Sequence, residues 1–264
     1  MDLGLKGKKA LVTGGAVGIG QAIALDLARE GVQVAITSRK AEWLDRTLTL
    51  MGGREAGHSA VVCDVSAEGG PQALARDLHE NFGRPDVVVN NVGGTLDITD
   101  PYCPISDWRR VFRVNFEVAV EITNLFLPHM KEQDWGRIVT ITSGAGLENS
   151  GPVTYCASKA ALTAYVRTMG RILATETSNV VMTAVMPGAV FTEGGHWDRG
   201  LRERPEHVER YLRERCPLGR LGQPSEISTM AVFLCSEKAS FCQGAIVPVD
   251  AGQARHYMYF NFLS

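Results

Sequence analysis

Short apolar runs and longer stretches of helical period take turns along this chain. Residues 8–13 read Lys-Lys-Ala-Leu-Val-Thr, a run of strand length. After Gly14-Gly15-Ala16-Val17-Gly18-Ile19-Gly20, apolar Ile23, Ala24, Leu27 and Ala28 recur at helical spacing to about Glu30, and Gly31 is the stop. Residues 32–38, 59–63, 86–90, 136–143, 179–186 and 243–249 read as further strands. Residues 42–51, 67–82, 105–132 and 153–177 read as helices between them, and another begins at Gly222-Gln223-Pro224-Ser225-Glu226. The run at 86–90 is almost wholly apolar, as expected of a parallel strand covered on both faces. This alternation predicts a doubly wound α/β fold of Rossmann type, a parallel sheet of about seven strands flanked by helices on both faces. The 264 residues suit one dinucleotide-binding and catalytic domain with a sizeable core.

The alternation breaks at residues 193–215, where Gly194-Gly195-His196-Trp197 precedes six arginines among five acidic residues. A long insertion between strand and helix predicts a lid or binding loop, at about 191–222. Residues 253–264 are rich in aromatic side chains (His256, Tyr257, Tyr259, Phe260 and Phe262), and so apolar a tail is expected to dock on something.

Charge and cysteine usage narrow the function classes. A net charge of −2 suggests neither a nucleic-acid nor a membrane-surface partner. No apolar run approaches a membrane span, and the start lacks a signal-peptide pattern, so a cytoplasmic protein is expected. Six cysteines lie scattered without Cys-x-x-Cys spacing or a histidine at metal-ligand spacing, which predicts neither disulfides nor a metal site.

The candidate chemistry lies at strand ends. A glycine-rich turn opening a helix lets a pyrophosphate approach the backbone, and the helix N-terminus supplies N–H donors and a favourable dipole. The second strand ends in Thr37-Ser38-Arg39-Lys40. An acidic residue there would bind the ribose hydroxyl of NAD, whereas Ser38 and Arg39 suit a 2'-phosphate. NADP(H) is therefore favoured, with NAD(H) as the alternative. Asp64 would accept the adenine amine or cap the helix from about residue 67. Asn90-Asn91-Val92-Gly93-Gly94 forms a turn suited to lie beneath a cofactor, with Asn90 bonding backbone. Asn115 sits inside a helix, either turned inward to hold water or distort the helix, or exposed; spacing does not choose. The turn at 187–192 would meet the nicotinamide end. Tyr155 and Lys159 stand four apart on one helix face. An ammonium beside the phenol would lower its pKa from about 10, allowing proton exchange with an alcohol oxygen. Ser143, closing the strand upstream, could hold that same oxygen.

In order, Thr13-Gly14 through Gly18-Ile19-Gly20, Asp64-Val65, Asn90-Asn91-Val92-Gly93, Asn115, Ser143, Tyr155 to Lys159 and Pro187-Gly188 resemble the short-chain dehydrogenase/reductase family over nearly the whole length. The Gly-x-x-x-Gly-x-Gly spacing is that family's own form. The resemblance implies an NAD(P)-dependent oxidoreductase interconverting a secondary alcohol and a ketone or aldehyde. It implies a catalytic tetrad of Asn115, Ser143, Tyr155 and Lys159, with Asn115 positioning a water and Lys159 holding the ribose. Cofactor contacts would come from Gly14, Ala16, Gly18, Ile19, Gly20, Ser38, Arg39, Asp64, Val65, Asn91, Gly93, Tyr155, Lys159, Pro187, Gly188 and Val190, with Thr192 on the carboxamide. Ser143 stands one residue nearer the tyrosine than in many members. Thr142 is the alternative hydroxyl, and Gly144-Ala145-Gly146 after Ser143 favours Ser143. Gly94, Thr95, Ala145, Asn149, His196 and Trp197 would line the substrate. Glu148, Asn149, His196 and the arginines of the insertion point to a small polar hydroxy compound: a sugar, polyol or hydroxy acid. A 3-oxoacyl-type or hydrophobic-ketone reductase is the alternative, and a non-catalytic nucleotide-binding regulator is less favoured. Members are commonly tetramers or dimers, so a homotetramer or homodimer is expected.

Overall fold

The alternation along the first strand divides two cores. In a computed structural model that describes residues 1–148 and 150–254, β1 spans Lys9–Thr13. Ala10 and Val12 pack on one side of it with Ile23, Leu27 and Ala231, while Leu11 packs on the other with Leu74, Ile122 and Val166. The chain continues as α1 (Gly18–Arg29), β2 (Gln33–Ser38), α2 (Ala41–Leu50), β3 (Ser59–Val62), α3 (Gly70–Asn81) and β4 (Val87–Asn90). Then follow α4 (Ile105–Phe112), α5 (Val118–Glu132), β5 (Gly136–Ile141), α6 (Val153–Glu176) and β6 (Val180–Pro187). The insertion carries α7 (His196–Glu203) and α8 (Pro205–Arg215), and α9 (Pro224–Leu234) leads to β7 (Ile246–Val249).

The strands form one parallel sheet of seven, as expected, and their order is β3-β2-β1-β4-β5-β6-β7. The order reverses between β1 and β4, so the turns leaving these strands diverge and open a crevice at the carboxyl edge.

Several boundaries differ from the sequence reading for identifiable reasons. Helix α3 starts at Gly70, not near 67, because Asp64 closes a turn by accepting from the Ser66 amide (2.9 Å) and hydroxyl (2.6 Å). Asp64 thus caps that turn and not the helix, whose N-cap is Gly69 at φ 70°. The helix expected over 105–132 is interrupted by a π turn at Arg113–Glu117 that contains Asn115. Strand β5 ends at Ile141, two residues before Ser143. Strand β7 starts at Ile246 and not at 243, because the Gln243 side chain takes the place of a strand residue. Its oxygen accepts from Met182 N and its nitrogen donates to Val180 O, both at 2.8 Å. The insertion returns to the turn after β6 at Gly222, which donates to Ala189 O (2.8 Å) and accepts from Phe191 N (2.9 Å). The aromatic residues of the tail, 256–262, lie outside the described residues. No helix among the described residues is long and apolar enough to cross a membrane.

Candidate active site

Turns at the carboxyl ends of β1 to β6 meet along the crevice. After β1, Gly14 and Gly18 adopt φ of 61° and 59°, which glycine alone takes without strain. At Gly20 a Cβ would lie 2.4 Å from Gly14 O, so the turn closes on itself only with glycine there. The N-cap of α1 is Val17, which makes no side-chain cap bond, so the first-turn N–H groups suit a phosphate. The turn is tied to β4 by Thr13, whose Oγ1 donates to Val89 O (3.2 Å) and accepts from Asn91 N (2.9 Å). Asn91 Nδ2 in turn donates to Thr13 O (3.0 Å) and Gly14 O (3.3 Å). The backbone-fixing role expected of Asn90 therefore belongs to Asn91. Asn90 turns inward instead and donates to Thr123 Oγ1 at 3.1 Å.

At the ends of β2 and β3, Ser38 is half-buried and Arg39 exposed. Burial pushes the Asp64 carboxyl up, but the Ser66 hydrogen bonds and the Arg39 charge outweigh it and hold it below the usual range. Arg39 and Asp64 thus face one corner of the crevice, with Val65 buried beneath. On the other side, the Thr192 methyl carbon lies 3.0 Å from where a Cβ on Gly18 would stand, which brings the start of the insertion over the glycine turn. Pro187 ends β6, Gly188 N donates to Val249 O (3.2 Å), and Val190 forms a bridge with Gly222.

The four residues of the expected tetrad come together between β4, β5, the π turn and α6. Asn115 is fully buried. Its amide donates to Val111 O (2.9 Å) and Gly94 O (2.8 Å) and accepts from Gly94 N (2.9 Å). The inward reading is the correct one, and the amide holds the turn after β4 through both backbone groups of Gly94. Lys159 is also buried and donates from Nζ to Ile141 O at 2.9 Å. A Cβ on Gly93 would lie 2.7 Å from Asn115 Oδ1 and 3.0 Å from Lys159 Nζ, so the bare backbone there lets both approach. Ser143 hydrogen-bonds the Tyr155 phenol. Thr142 Oγ1 instead donates into the sheet, to Val185 O at 3.1 Å, which settles the choice of hydroxyl facing the tyrosine.

The electrostatics differ from the sequence reading. Burial pushes the Tyr155 phenol up, the Ser143 hydrogen bond pulls against it, and the net shift is upward. An adjacent ammonium had been expected to bring it down. Lys159 Nζ lies 5.9 Å from the Tyr155 ring centre and is aimed at Ile141. Burial depresses its own pKa to about 8.

On the substrate side, Gly94 is held by Asn115, and Thr95 Oγ1 accepts from Asp97 N at 3.2 Å. Ala145 is buried in the short turn after Ser143, and Asn149 lies outside the described residues. His196 and Trp197 stack edge-on at 5.1 Å, and Trp197 packs on Tyr211 at 4.5 Å, so Trp197 joins α7 to α8. Sequence reasoning missed a small cleft beside the site, lined by Gly144, Glu148, Tyr211, Arg215, Asp250 and Gln253 and by none of the tetrad. The available signal was Asp250-Ala251-Gly252, one more turn at the carboxyl end of a strand.

The sequence pattern of the family described as enoyl-(acyl carrier protein) reductase matches residues 14–254. The chain is 36% identical to 3-oxoacyl-(acyl-carrier-protein) reductase FabG of Pseudomonas aeruginosa, over 95% of this chain and 98% of that protein. It is 33% identical to 7alpha-hydroxysteroid dehydrogenase of Escherichia coli, over 95% of this chain and 96% of that protein. A solved structure of 7alpha-hydroxysteroid dehydrogenase with NADH and 7-oxo glycochenodeoxycholic acid superposes at TM-score 0.85 and 32% identity, covering 96% of each chain. L-sorbose reductase from Gluconobacter frateurii, complexed with NADPH and L-sorbose, superposes at TM-score 0.86 and 27% identity, covering 97% and 99% of the two chains.

Proposed function

The chain belongs to the short-chain dehydrogenase/reductase family of NAD(P)-dependent oxidoreductases, and from that premise we propose that it interconverts a small polar hydroxy compound and its ketone with NADP(H). The observation that carries the chemistry is the Tyr155 phenol, hydrogen-bonded to Ser143 one helical turn from the buried Lys159. The nicotinamide cofactor, when bound, gives or takes the hydride. In reduction Tyr155 gives its proton to the substrate oxygen, and Ser143 holds that oxygen where charge develops. The raised phenol pKa keeps Tyr155 protonated at neutral pH, the form that donates. Lys159, buried and donating to Ile141 O, would hold the ribose. Asn115 acts by fixing Gly93 and Gly94 against Lys159.

Gly14, Ala16, Gly18, Ile19 and Gly20 would hold the pyrophosphate, Asp64 and Val65 the adenine, and Asn91 and Gly93 the ribose side. Pro187, Gly188, Val190 and Thr192 would flank the nicotinamide. The fit is supported by the close-packed glycine turn and the uncapped α1 N-terminus. Ser38 and Arg39 at the end of β2 support the 2'-phosphate of NADP(H). The polar substrate is supported by polar side chains beside the tetrad: Thr95 after β4, Glu148 after Ser143 and His196 at the start of α7. The L-sorbose reductase bound to its sugar is a relative of that kind. The similarity to the 3-oxoacyl reductase supports an acyl substrate as the second reading. Residues 191–222 act as the lid. The assembly we propose is a homodimer or homotetramer, and six free cysteines fit the cytoplasm as a reducing compartment.

A panel of sugars, polyols, hydroxy acids and apolar ketones, followed by nicotinamide absorbance with each cofactor, tests the reading. The expected result is turnover of polyhydroxy compounds with kcat/KM about tenfold higher for NADPH than NADH, and a reversed preference in Arg39→Asp. A clear NADH preference in the wild type would refute the cofactor assignment. Turnover of bulky apolar ketones alone would refute the substrate class.

A further inference from the structure

One side chain outside the lid reaches both the lid and the turn that leads into it. Gln253 follows β7 in a turn built on Asp250. Asp250 Oδ1 accepts from Gly252 N (3.0 Å), Asp250 Oδ2 from Ala254 N (2.9 Å), and Asp250 O from Gln253 N (3.0 Å). That turn points the Gln253 amide at two other segments. Its oxygen accepts from Ala189 N at 2.8 Å, and its nitrogen donates to the Tyr211 hydroxyl on α8. Glycine at 188 makes room for it, since a Cβ there would lie 2.7 Å from Gln253 Oε1. Ala189 is fixed on its other side too, because its carbonyl accepts from Gly222 N. Tyr211 packs on Trp197 of α7, so a hold on Tyr211 restrains both lid helices.

We propose that Gln253 is a positioning residue that locks the lid onto the turn after β6 and so sets the closed form of the substrate crevice. The segment from Thr192 to Leu221 is otherwise tied at its hinge by the Ala189, Phe191 and Gly222 bonds. A second tie to a distant element is the Arg199–Asp97 ion pair, at 2.8 Å but with side chains 45% and 70% exposed. An ion pair that exposed holds weakly and yields to salt. The Gln253 bonds are half-buried, and they link the lid to the same turn that leads to Thr192. Closing the lid and shaping the nicotinamide side of the crevice are thus coupled through one amide.

The inference rests on the dehydrogenase reading only for its kinetic arm. Hydrogen exchange needs neither substrate nor cofactor and is measured on the full chain. Gln253→Leu removes both bonds at similar volume, and Tyr211→Phe removes the hydroxyl while keeping the ring on Trp197. Both are expected to speed exchange in α7 and α8 about tenfold, the scale of one lost half-buried hydrogen bond, with α1 and α6 unchanged. Gln253→Glu keeps acceptors for Ala189 N and for the Tyr211 hydroxyl, and it is expected to restore wild-type exchange. The double variant Gln253→Leu/Tyr211→Phe is expected to match the Leu variant. KM is expected to rise about tenfold with kcat within about threefold. Unchanged lid exchange in either single variant, or additive effects in the double, would overturn the proposal. If Gln253→Leu loses protection throughout the sheet, Tyr211→Phe alone decides: faster exchange confined to the lid supports the proposal, and unchanged exchange overturns it.

Discussion

Arg137 enters β5 at its start and Lys159 docks on its last carbonyl, so one strand holds a buried cation at either end. Their surroundings differ sharply. Arg137 donates to the carbonyls of Gly136, Ser236 and Asn179 and to Asn179 Oδ1, at 2.7 to 2.9 Å. Glu237 lies 3.7 Å from it, and its guanidinium stands 4.7 Å from the centre of the Trp135 ring. Lys159 donates to Ile141 O alone among the described residues, and burial takes its pKa down to about 8. A guanidinium surrounded by acceptors at the amino edge of the sheet ties β5 to its neighbours. An ammonium buried with so little compensation at the carboxyl edge is an energetic cost to the fold, and such a cost is characteristic of a working site.

Substitution separates the two. Lys159→Met is expected to lower turnover by two to four powers of ten while leaving the thermal midpoint at neutral pH unchanged or higher. Steady-state kinetics and a melting curve check both halves, and a Lys159→Met protein that unfolds would break the contrast. Arg137→Met strands several buried carbonyls and is expected to cost on the order of 4 kcal/mol in urea unfolding, with turnover per folded molecule unchanged. Loss of catalysis at full stability there would place Arg137 in the machinery.

A smaller, pH-dependent difference sharpens the comparison. Below pH 8 Lys159 is protonated in both folded and unfolded chains, so the folded state carries the full cost of the buried charge. As pH rises from about 8 towards 10.5, the folded chain loses the proton while the unfolded chain keeps it, and that cost disappears. Wild type is therefore expected to gain stability relative to Lys159→Met across this window, by at most roughly 3 kcal/mol. A flat difference between the two proteins would mean that Lys159 titrates normally.

Much of the fold was legible because it rests on local pattern. The strands of the sheet came from apolar runs, and their parallel order follows from the helices between them. The glycine turn, Ser143, Tyr155 and Lys159 were legible as well, since each sits at a strand end or one helical turn from another. What escaped depends on partners distant in sequence. Arg137 reads as an ordinary strand charge until Asn179 and Ser236 are folded around it. Asn90 and Asn91 are indistinguishable until one faces Thr123 and the other Thr13. The π turn at Asn115 exists because its amide reaches Gly94, twenty-one residues back, which no periodicity reveals. The direction of the Tyr155 shift was misjudged for a similar reason. Spacing along a helix gives proximity, but it does not reveal that Ile141 would take the Lys159 donor and that burial would dominate.

The most direct test is Tyr155→Phe, assayed for turnover with a substrate the wild type accepts and for NADPH binding by fluorescence. Cofactor affinity within about threefold of wild type, with turnover down on the order of a hundredfold or more, is the expected result. Turnover near the wild-type rate in that variant would contradict the assignment of this phenol as the proton donor.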